Sequence, residues 1–150
     1  MRNFSELYQQ LIIDHSQQPH NFRAIGDSNY KQHGYNPLCG DKITLYIKEQ
    51  NGIISDVGFQ GSGCAISTAS ASLMSDAVKN KSKEEAMALF DLFQQMVTTG
   101  KLENTEQLGK LVVLAGVTEF PMRVKCATLP WHTLRAAMLK DDKITTTETA

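Results

Sequence analysis

The chain contains three cysteines that lie far apart, and this spacing is the strongest constraint on how it can fold. Cys39 follows N-P-L, Cys64 follows G-S-G and Cys126 follows R-V-K, with separations of 25 and 62 positions. Asp41 stands two positions after the first cysteine. Three thiolates and one carboxylate suit a four-coordinate shell around a soft or borderline metal ion. Because the chain has no C-x-x-C pair, such a site requires the tertiary fold to bring these residues together.

The first two candidate ligands are close in sequence. In an extended segment, residues i and i+2 point to the same side, so Cys39 and Asp41 are expected to face one metal ion. Gly40 between them allows the backbone to come close without a side-chain clash.

The other two cysteines are predicted at the beginnings of helices. Cys64 follows a glycine-rich turn, and a helix N-terminus stabilises a thiolate through its backbone N–H groups and dipole. Cys126 is predicted just before the last helix, beside Arg123 and Lys125. Both settings are expected to lower the thiol pKa. The alternative for each cysteine is a small, inert, buried side chain, which is the usual state of an isolated one.

Composition and charge exclude several classes of function. The 150 residues are 41% apolar and carry a formal net charge of −1, and the sequence pI is about 6.4. These values do not suit a nucleic-acid-binding protein. The longest apolar stretches, such as residues 111–117, are too short to span a bilayer. We therefore predict one globular domain over residues 1–150, with no nucleic-acid or membrane partner and a disordered polar tail at residues 141–150.

The cysteine count also bears on localisation. An odd number of cysteines favours a reducing compartment over a disulfide framework. The N-terminal sequence M-R-N-F-S-E-L-Y-Q-Q lacks the apolar region of a secretory signal. We therefore expect a cytoplasmic protein.

The hydrophobic pattern predicts an α+β fold in which a small antiparallel β-sheet is packed by helices. A hairpin is predicted because two alternating segments flank Gln50-Asn51-Gly52, which favours a tight turn. Ser82 and Glu85 have the spacing of a capping box. The predicted elements are a helix at 3–16, a loop with a short strand at 24–36, a hairpin at 42–59, and helices at 64–78, from 83 onward and at 127–139, with Pro130 in the first turn of the last.

Four segments together resemble a known family. They are Y-x-x-x-I-I-D-H-x-x-x-P-x-N at residues 8–21, N-P-L-C-G-D, G-S-G-C-A-I-S-x-A-S-A-S and R-V-K-C-A-T-L-P-W-H-T-L. In this order they resemble the iron–sulfur cluster assembly family that includes IscU, the N-terminal domain of NifU, and SufU. The similarity extends to about residue 140, so it covers nearly the whole chain.

The resemblance implies an α+β sandwich of the SufE/IscU type with a single metal site near the surface. Carried over, Cys39, Cys64 and Cys126 are the thiolate ligands, and Asp41 is the fourth, labile ligand. The implied occupant is zinc or an iron–sulfur cluster, [2Fe–2S] or [4Fe–4S]. Cys39 is the expected sulfur acceptor. The implied partner is a pyridoxal-phosphate cysteine desulfurase of the SufS/IscS type, with other Suf-type assembly proteins or apo iron–sulfur proteins as further partners.

Three departures within this family favour the SufU branch. IscU-like scaffolds usually carry histidine immediately before the third cysteine, where this chain has Lys125. Their L-P-P-V-K motif is replaced here by F-P-M-R-V-K. The segment between Cys64 and Cys126 is also longer, around residues 92–118.

Three functions follow as hypotheses. The first is a zinc-dependent sulfurtransferase that accepts persulfide sulfur at Cys39. The second is a scaffold on which an iron–sulfur cluster is built and then passed to apo-proteins. The third is a structural zinc domain, which a labile Asp41 argues against, since structural sites prefer a closed shell of cysteine and histidine. Under either working hypothesis, Asp41→Ala is expected to slow release or exchange and to leave the fold intact. The sequence leaves open which occupant is physiological, whether the chain is an enzyme, its recipients, its oligomeric state and the role of the longer segment.

Two basic side chains near the third cysteine have alternative interpretations. His132 is expected to pack in the last helix more often than to approach a metal ion. Lys125 either assists a persulfide or pairs with Asp41, or it is a solvated surface lysine. His15 and His20 are expected to bond the backbone more often than a metal ion.

Overall fold

The computed structural model describes residues 4–139 and 145–146. The elements follow in the order α1 Phe4–Gln17, β1 Tyr30–Asn36, β2 Asp41–Gln50, β3 Ile53–Ser62, α2 Ala65–Val78, α3 Lys83–Thr99, α4 Thr105–Leu108, a 3₁₀ segment Gly109–Glu119, α5 Pro121–Met138 and β4 Thr145–Thr146. Strands β1 to β3 are antiparallel, and helices pack against them. The predicted α+β class is confirmed. Within the described residues, no helix has both the length and the apolarity needed to cross a membrane.

The sheet has the order β3-β2-β1-β4, with β4 parallel to β1. The side chains of β2 alternate between buried and more exposed positions. Every second residue from Asp41 to Ile47 is buried, so this face of the strand packs against the helices. The hairpin turn uses positive φ angles at Asn51 (56°) and Gly52 (81°), which these residue types tolerate. The predicted hairpin is confirmed, and its strands extend beyond the predicted limits at both ends.

Helix α5 packs against β1, β2, α2 and α3 and forms the centre of the hydrophobic core. Trp131 is fully buried, and its ring stacks on Phe90 and Phe93 at centroid distances of 5.7 and 4.9 Å.

Helix α3 begins with the predicted capping box. Ser82 Oγ accepts from the Glu85 backbone N–H, and the Glu85 carboxylate accepts from the Ser82 backbone N–H.

The final helix differs from the prediction. It begins at Pro121 and not at Ala127, so Cys126 lies in its second turn and not before it. Pro121 suits the first helical position, where no backbone N–H is required. Pro130 lies in the helix interior, where its ring nitrogen gives no hydrogen bond to the Cys126 carbonyl. The prediction treated Pro130 as a first-turn proline and therefore started the helix too late.

Strand β1 occupies seven residues of the segment that was predicted to be a loop with a short strand. Its buried positions are Tyr30, Gln32, Gly34 and Asn36, which do not form an apolar pattern. A side chain at Gly34 would overlap the Thr133 hydroxyl, so glycine allows α5 to approach the strand closely.

Part of the predicted disordered tail, residues 141–150, is described. Thr145 and Thr146 form β4 and pair with Gly34 and Tyr35 of β1. The remainder of that tail lies outside the described residues.

Candidate metal centre

Three of the four predicted ligands meet where the β1–β2 turn faces α5. The ligand atoms of Cys39, Asp41 and Cys126 all lie within 4.8 Å of one another. The Cys126 and Cys39 sulfurs are 3.4 Å apart, and the Cys126 thiol donates to Cys39. Cys39 is exposed, whereas Cys126 is only 2% exposed. The cluster therefore has one accessible sulfur at its rim and a buried base.

A tight turn brings Cys39 towards Asp41. The turn occupies residues 37–40 and closes with a 2.8 Å hydrogen bond from the Gly40 N–H to the Asn36 carbonyl. Gly40 has φ +73°, a conformation that favours glycine. The expected extended geometry of C-G-D is therefore wrong. Both side chains nevertheless reach the same cluster, because the turn reverses the chain just before Asp41 begins β2.

Asp41 is 1% exposed, and hydrogen-bond donors hold its carboxylate on both sides. Its Oδ1 accepts from the Cys64 backbone N–H at 2.8 Å, and its Oδ2 accepts from Asn36 Nδ2 at 3.0 Å. A buried carboxylate requires such donors. These two bonds connect β2 to the beginning of α2 and to the end of β1.

Cys64 lies at the edge of this cluster, at the N-cap of α2, as the sequence predicted. Its sulfur accepts from the Ser67 backbone N–H at 3.4 Å, and it is not among the three mutually close ligands. The neighbouring Cys126 thiol and the hydrogen bond from the Ser67 N–H lower the pKa of Cys64 to about 6, against the opposing effect of burial. The lowered pKa favours the thiolate form of Cys64.

Gly63 permits this close contact between α2 and Asp41. A Cβ atom at Gly63 would lie 2.6 Å from Asp41 Oδ1 and 2.7 Å from Ser67 Oγ. Glycine is therefore the residue that fits before Cys64 without displacing the carboxylate.

Both the thiol pKa of Cys126 and its position in the helix differ from those predicted from the sequence. The neighbouring Cys64 sulfur, together with burial and the nearby Asp41 and Cys39, raises the pKa of this thiol well above its usual range. The expected lowering of the Cys126 pKa is therefore wrong, since the residue is inside α5 and not at its N-terminus. Cys126 acts as the proton donor among the three sulfurs.

The donor set fits a thiophilic metal ion. A tetrahedral zinc ion with Zn–S bonds of about 2.3 Å would hold its sulfur ligands about 3.8 Å apart. The 3.4 Å separation of the Cys39 and Cys126 sulfurs is close to this value. Thiolates with one carboxylate also suit iron bound as an iron–sulfur cluster.

His132 packs in the helix core, which confirms the interpretation from the sequence. It is 8% exposed, and its ring lies edge-on to Phe90 with a centroid distance of 5.0 Å. Arg135 Nη2 lies 3.0 Å from His132 Nδ1. Burial, with a smaller effect of Arg135, lowers the pKa of His132 to about 4.

The N-terminal histidines mainly bind side chains of α2. His15 Nδ1 is 2.6 Å from Ser72 Oγ, and His20 Nδ1 is 2.5 Å from Asp76 Oδ2. The His20 backbone N–H also donates to Ser72 Oγ. The expectation that these two side chains bond the backbone is therefore wrong.

Asn36 is the residue of the site that sequence reasoning missed. It is fully buried and donates through Nδ2 to both Asp41 and Cys126. The available signal was its position directly before Pro37 in N-P-L-C-G-D, where asparagine often stabilises a turn.

The chain is similar to known proteins over most of its length. Residues 7–127 match the family model described as NifU-like N terminal domain. The iron–sulfur cluster assembly scaffold protein IscU of Streptococcus pyogenes serotype M1 is 44% identical over 138 residues, which are 92% of this chain and 86% of that protein. The zinc-dependent sulfurtransferase SufU of Bacillus subtilis (strain 168) is 39% identical over 140 residues, which are 93% of this chain and 95% of that protein.

Solved structures share the fold. The crystal structure of a protein from Fervidobacterium islandicum AW-1, proposed to be an iron–sulfur cluster assembly scaffold for the SUF system (FiSufU), superposes with a TM-score of 0.82 at 35% identity. The match covers 91% of this chain and 99% of that one.

Proposed function

The chain belongs to the NifU-like N-terminal domain family of iron–sulfur cluster assembly proteins, and from this premise we propose that it is a zinc-dependent acceptor of persulfide sulfur. The proposed site consists of Cys39, Asp41, Cys64 and Cys126. The single observation that carries this proposal is the group of Cys39, Asp41 and Cys126 ligand atoms within 4.8 Å, with one sulfur exposed.

Cys64 is included as a ligand because its thiol is already near the group and prone to ionise. Its pKa is lowered, mainly by the neighbouring Cys126 thiol, and this favours the thiolate form that binds metal ions. Its backbone N–H also holds Asp41. Zinc, when bound, would supply the positive charge that keeps the buried Cys126 deprotonated as well.

The exposure of Cys39 supports its role as the sulfur acceptor. In the proposed step, the Cys39 thiolate attacks the outer sulfur of a persulfide on a cysteine desulfurase. A new S–S bond forms on Cys39 while the S–S bond of the desulfurase breaks, and the desulfurase thiolate leaves. No oxidant or reductant is consumed, because the sulfur moves between two thiols at one oxidation level.

Asp41 is proposed as the exchangeable ligand. An oxygen ligand binds thiophilic metals less strongly than thiolate does. The hydrogen bonds from Asn36 and the Cys64 N–H hold its carboxylate in place beside the cysteines. The proposed partner is a SufS- or IscS-like cysteine desulfurase, and the proposed location is the cytoplasm.

A scaffold for iron–sulfur clusters is the second candidate, supported by the name of the relative from Streptococcus pyogenes. The same four residues would then hold a cluster, and a carboxylate ligand would make that cluster easy to release. In this case iron and sulfide are the cargo.

Mass spectrometry of the zinc-loaded protein tests the proposal. After incubation with a cysteine desulfurase and cysteine, we expect one added sulfur atom on Cys39 and none in the Cys39→Ser chain. Absence of added sulfur, together with formation of a coloured cluster from iron and sulfide, would instead support the scaffold.

A further inference from the structure

We propose that Asn36 is a positioning residue of the metal site, which fixes Asp41 and Cys126 relative to each other. The inference rests on the proposed function of that site. Asn36 is fully buried, and its Nδ2 lies 3.0 Å from Asp41 Oδ2 and 3.4 Å from Cys126 Sγ. One amide nitrogen therefore bonds one ligand at the beginning of β2 and another on α5.

The same residue builds the turn that carries Cys39. The Asn36 carbonyl accepts from the Gly40 N–H at 2.8 Å, and its Oδ1 accepts from the Leu38 N–H at 3.2 Å. These two bonds lie on either side of Cys39 in the sequence. Asn36 is thus connected to three of the four proposed ligands, two through its amide nitrogen and one through the turn.

The chemistry of the asparagine side chain explains why this residue suits the position. Its NH₂ group has two donor hydrogens, while its oxygen is an acceptor. Asp41 and Cys126 are acceptors when they are ionised for metal binding, so the NH₂ group can donate to both. The Leu38 N–H of the turn is a donor and pairs with the side-chain oxygen. An aspartate of the same shape would keep the acceptor for Leu38 but would offer no donor to Asp41 or Cys126. Donors that orient metal ligands typically contribute about 10- to 100-fold to metal affinity.

Zinc affinity of two Asn36 variants tests this role. Asn36→Ala removes both donor and acceptor, and Asn36→Asp removes only the donor. Gln32→Ala and Gln32→Glu are the matched controls. Gln32 is also a buried amide on the same face of β1, but it lies further from the site, beyond Gly34 along the strand. Folding of each chain is checked by the fluorescence of Trp131, the single tryptophan.

Competition with a chromophoric chelator is expected to show about 10- to 100-fold weaker zinc binding in both Asn36 variants. Both Gln32 variants are expected to bind zinc like the unmodified chain. Cobalt(II) in place of zinc gives a second readout, since its visible absorption bands report ligand geometry. We expect these bands to shift in Asn36→Asp and to remain unchanged in Gln32→Glu.

Three outcomes would overturn the inference. Folded Asn36 variants with unchanged zinc affinity and cobalt bands would show that the amide does not position the ligands. An equal loss in the Gln32 controls would assign the effect to general weakening of β1. Failure of the unmodified chain to bind zinc or cobalt would overturn both the zinc-dependent function and this inference. The first two outcomes would overturn this inference alone.

Discussion

At the scale of single residues, the burial of Asp41 determines how the site responds to substitution. Its two oxygens accept from the fully buried Asn36 amide and from the backbone N–H of the half-buried Cys64. The carboxylate therefore has a structural role at the meeting point of β1, β2 and α2 in addition to its proposed role as a ligand.

Replacing Asp41 by alanine is predicted to lower the free energy of unfolding by about 1–3 kcal/mol, because the buried Asn36 amide and the Cys64 N–H lose their acceptor. The chain should still fold, in agreement with the expectation from the sequence, but with reduced stability. Urea denaturation, monitored through the fluorescence of Trp131, measures the free energy of unfolding. Asp41→Asn is the control, since it keeps one acceptor oxygen and should cost less than Asp41→Ala. Equal stability of the unmodified and Asp41→Ala chains would contradict the role of these hydrogen bonds.

The same variant tests the proposed exchangeable ligand. With zinc bound, Asp41→Ala should slow the transfer of zinc to a chelator, because dissociation of the carboxylate no longer opens the site. Stopped-flow measurement at several chelator concentrations gives the rate. Unchanged release kinetics in the variant would argue that another ligand leaves first.

His132 makes the stability of the protein depend on pH. Its pKa of about 4 in the folded protein lies below the ordinary value of 6.5 for histidine, so the unfolded chain binds more protons between these values. The stabilisation is complete above pH 6.5 and is lost as the pH falls towards 4. The expected loss is about 3 kcal/mol of unfolding free energy.

Urea denaturation at pH 7 and pH 4.5 measures this dependence. The His132→Gln chain should lose less stability between the two pH values than the unmodified chain. His33→Gln is the control, because His33 is exposed on β1 and hydrogen-bonded to the Thr44 hydroxyl. Parallel pH profiles for the unmodified and His132→Gln chains would contradict the assignment.

At the scale of elements, sequence signals predicted those structures whose cause is local. The capping box of Ser82 and Glu85 and the turn at Asn51–Gly52 depend on neighbouring residues, and both were predicted correctly. The start of α5 was not, because proline ordinarily interrupts a helix, whereas Pro130 lies buried in the interior of α5. Strand β1 was read as mostly loop, since its buried face is polar and is selected by contacts with α5 and the metal site.

The capping box makes a measurable contribution to α3. Ser82→Ala removes the acceptor for the Glu85 N–H and is predicted to cost about 1 kcal/mol of unfolding free energy. Ser82→Asp restores an acceptor at the N-cap and should recover most of that loss. Thermal or urea denaturation of the three chains checks this. A loss of similar size in Ser82→Asp would show that packing, and not capping, makes Ser82 important.

At the scale of the whole molecule, the fold brings together residues that the sequence separates widely. Cys39 comes from the β1–β2 turn, Asp41 from β2, Cys64 from the α2 N-cap and Cys126 from the second turn of α5. Their residue types and motifs were sufficient to predict a candidate site. Their geometry was not predictable, because the close approach at Gly63 and the hydrogen bond from Asn36 to Cys126 join residues that are distant in sequence. The turn at Gly40 is local, but its left-handed conformation replaces the extended one expected for C-G-D.

The central claim is that these residues form one site that accepts sulfur from a cysteine desulfurase. The most direct test is the turnover of a SufS-like desulfurase with the zinc-loaded chain added in the presence of a mild reductant. We predict a saturable increase in turnover that is lost in Cys39→Ala, because the exposed thiol is the proposed acceptor. Desulfurase turnover that is unaffected by the zinc-loaded chain, or equally stimulated by Cys39→Ala, would contradict the claim.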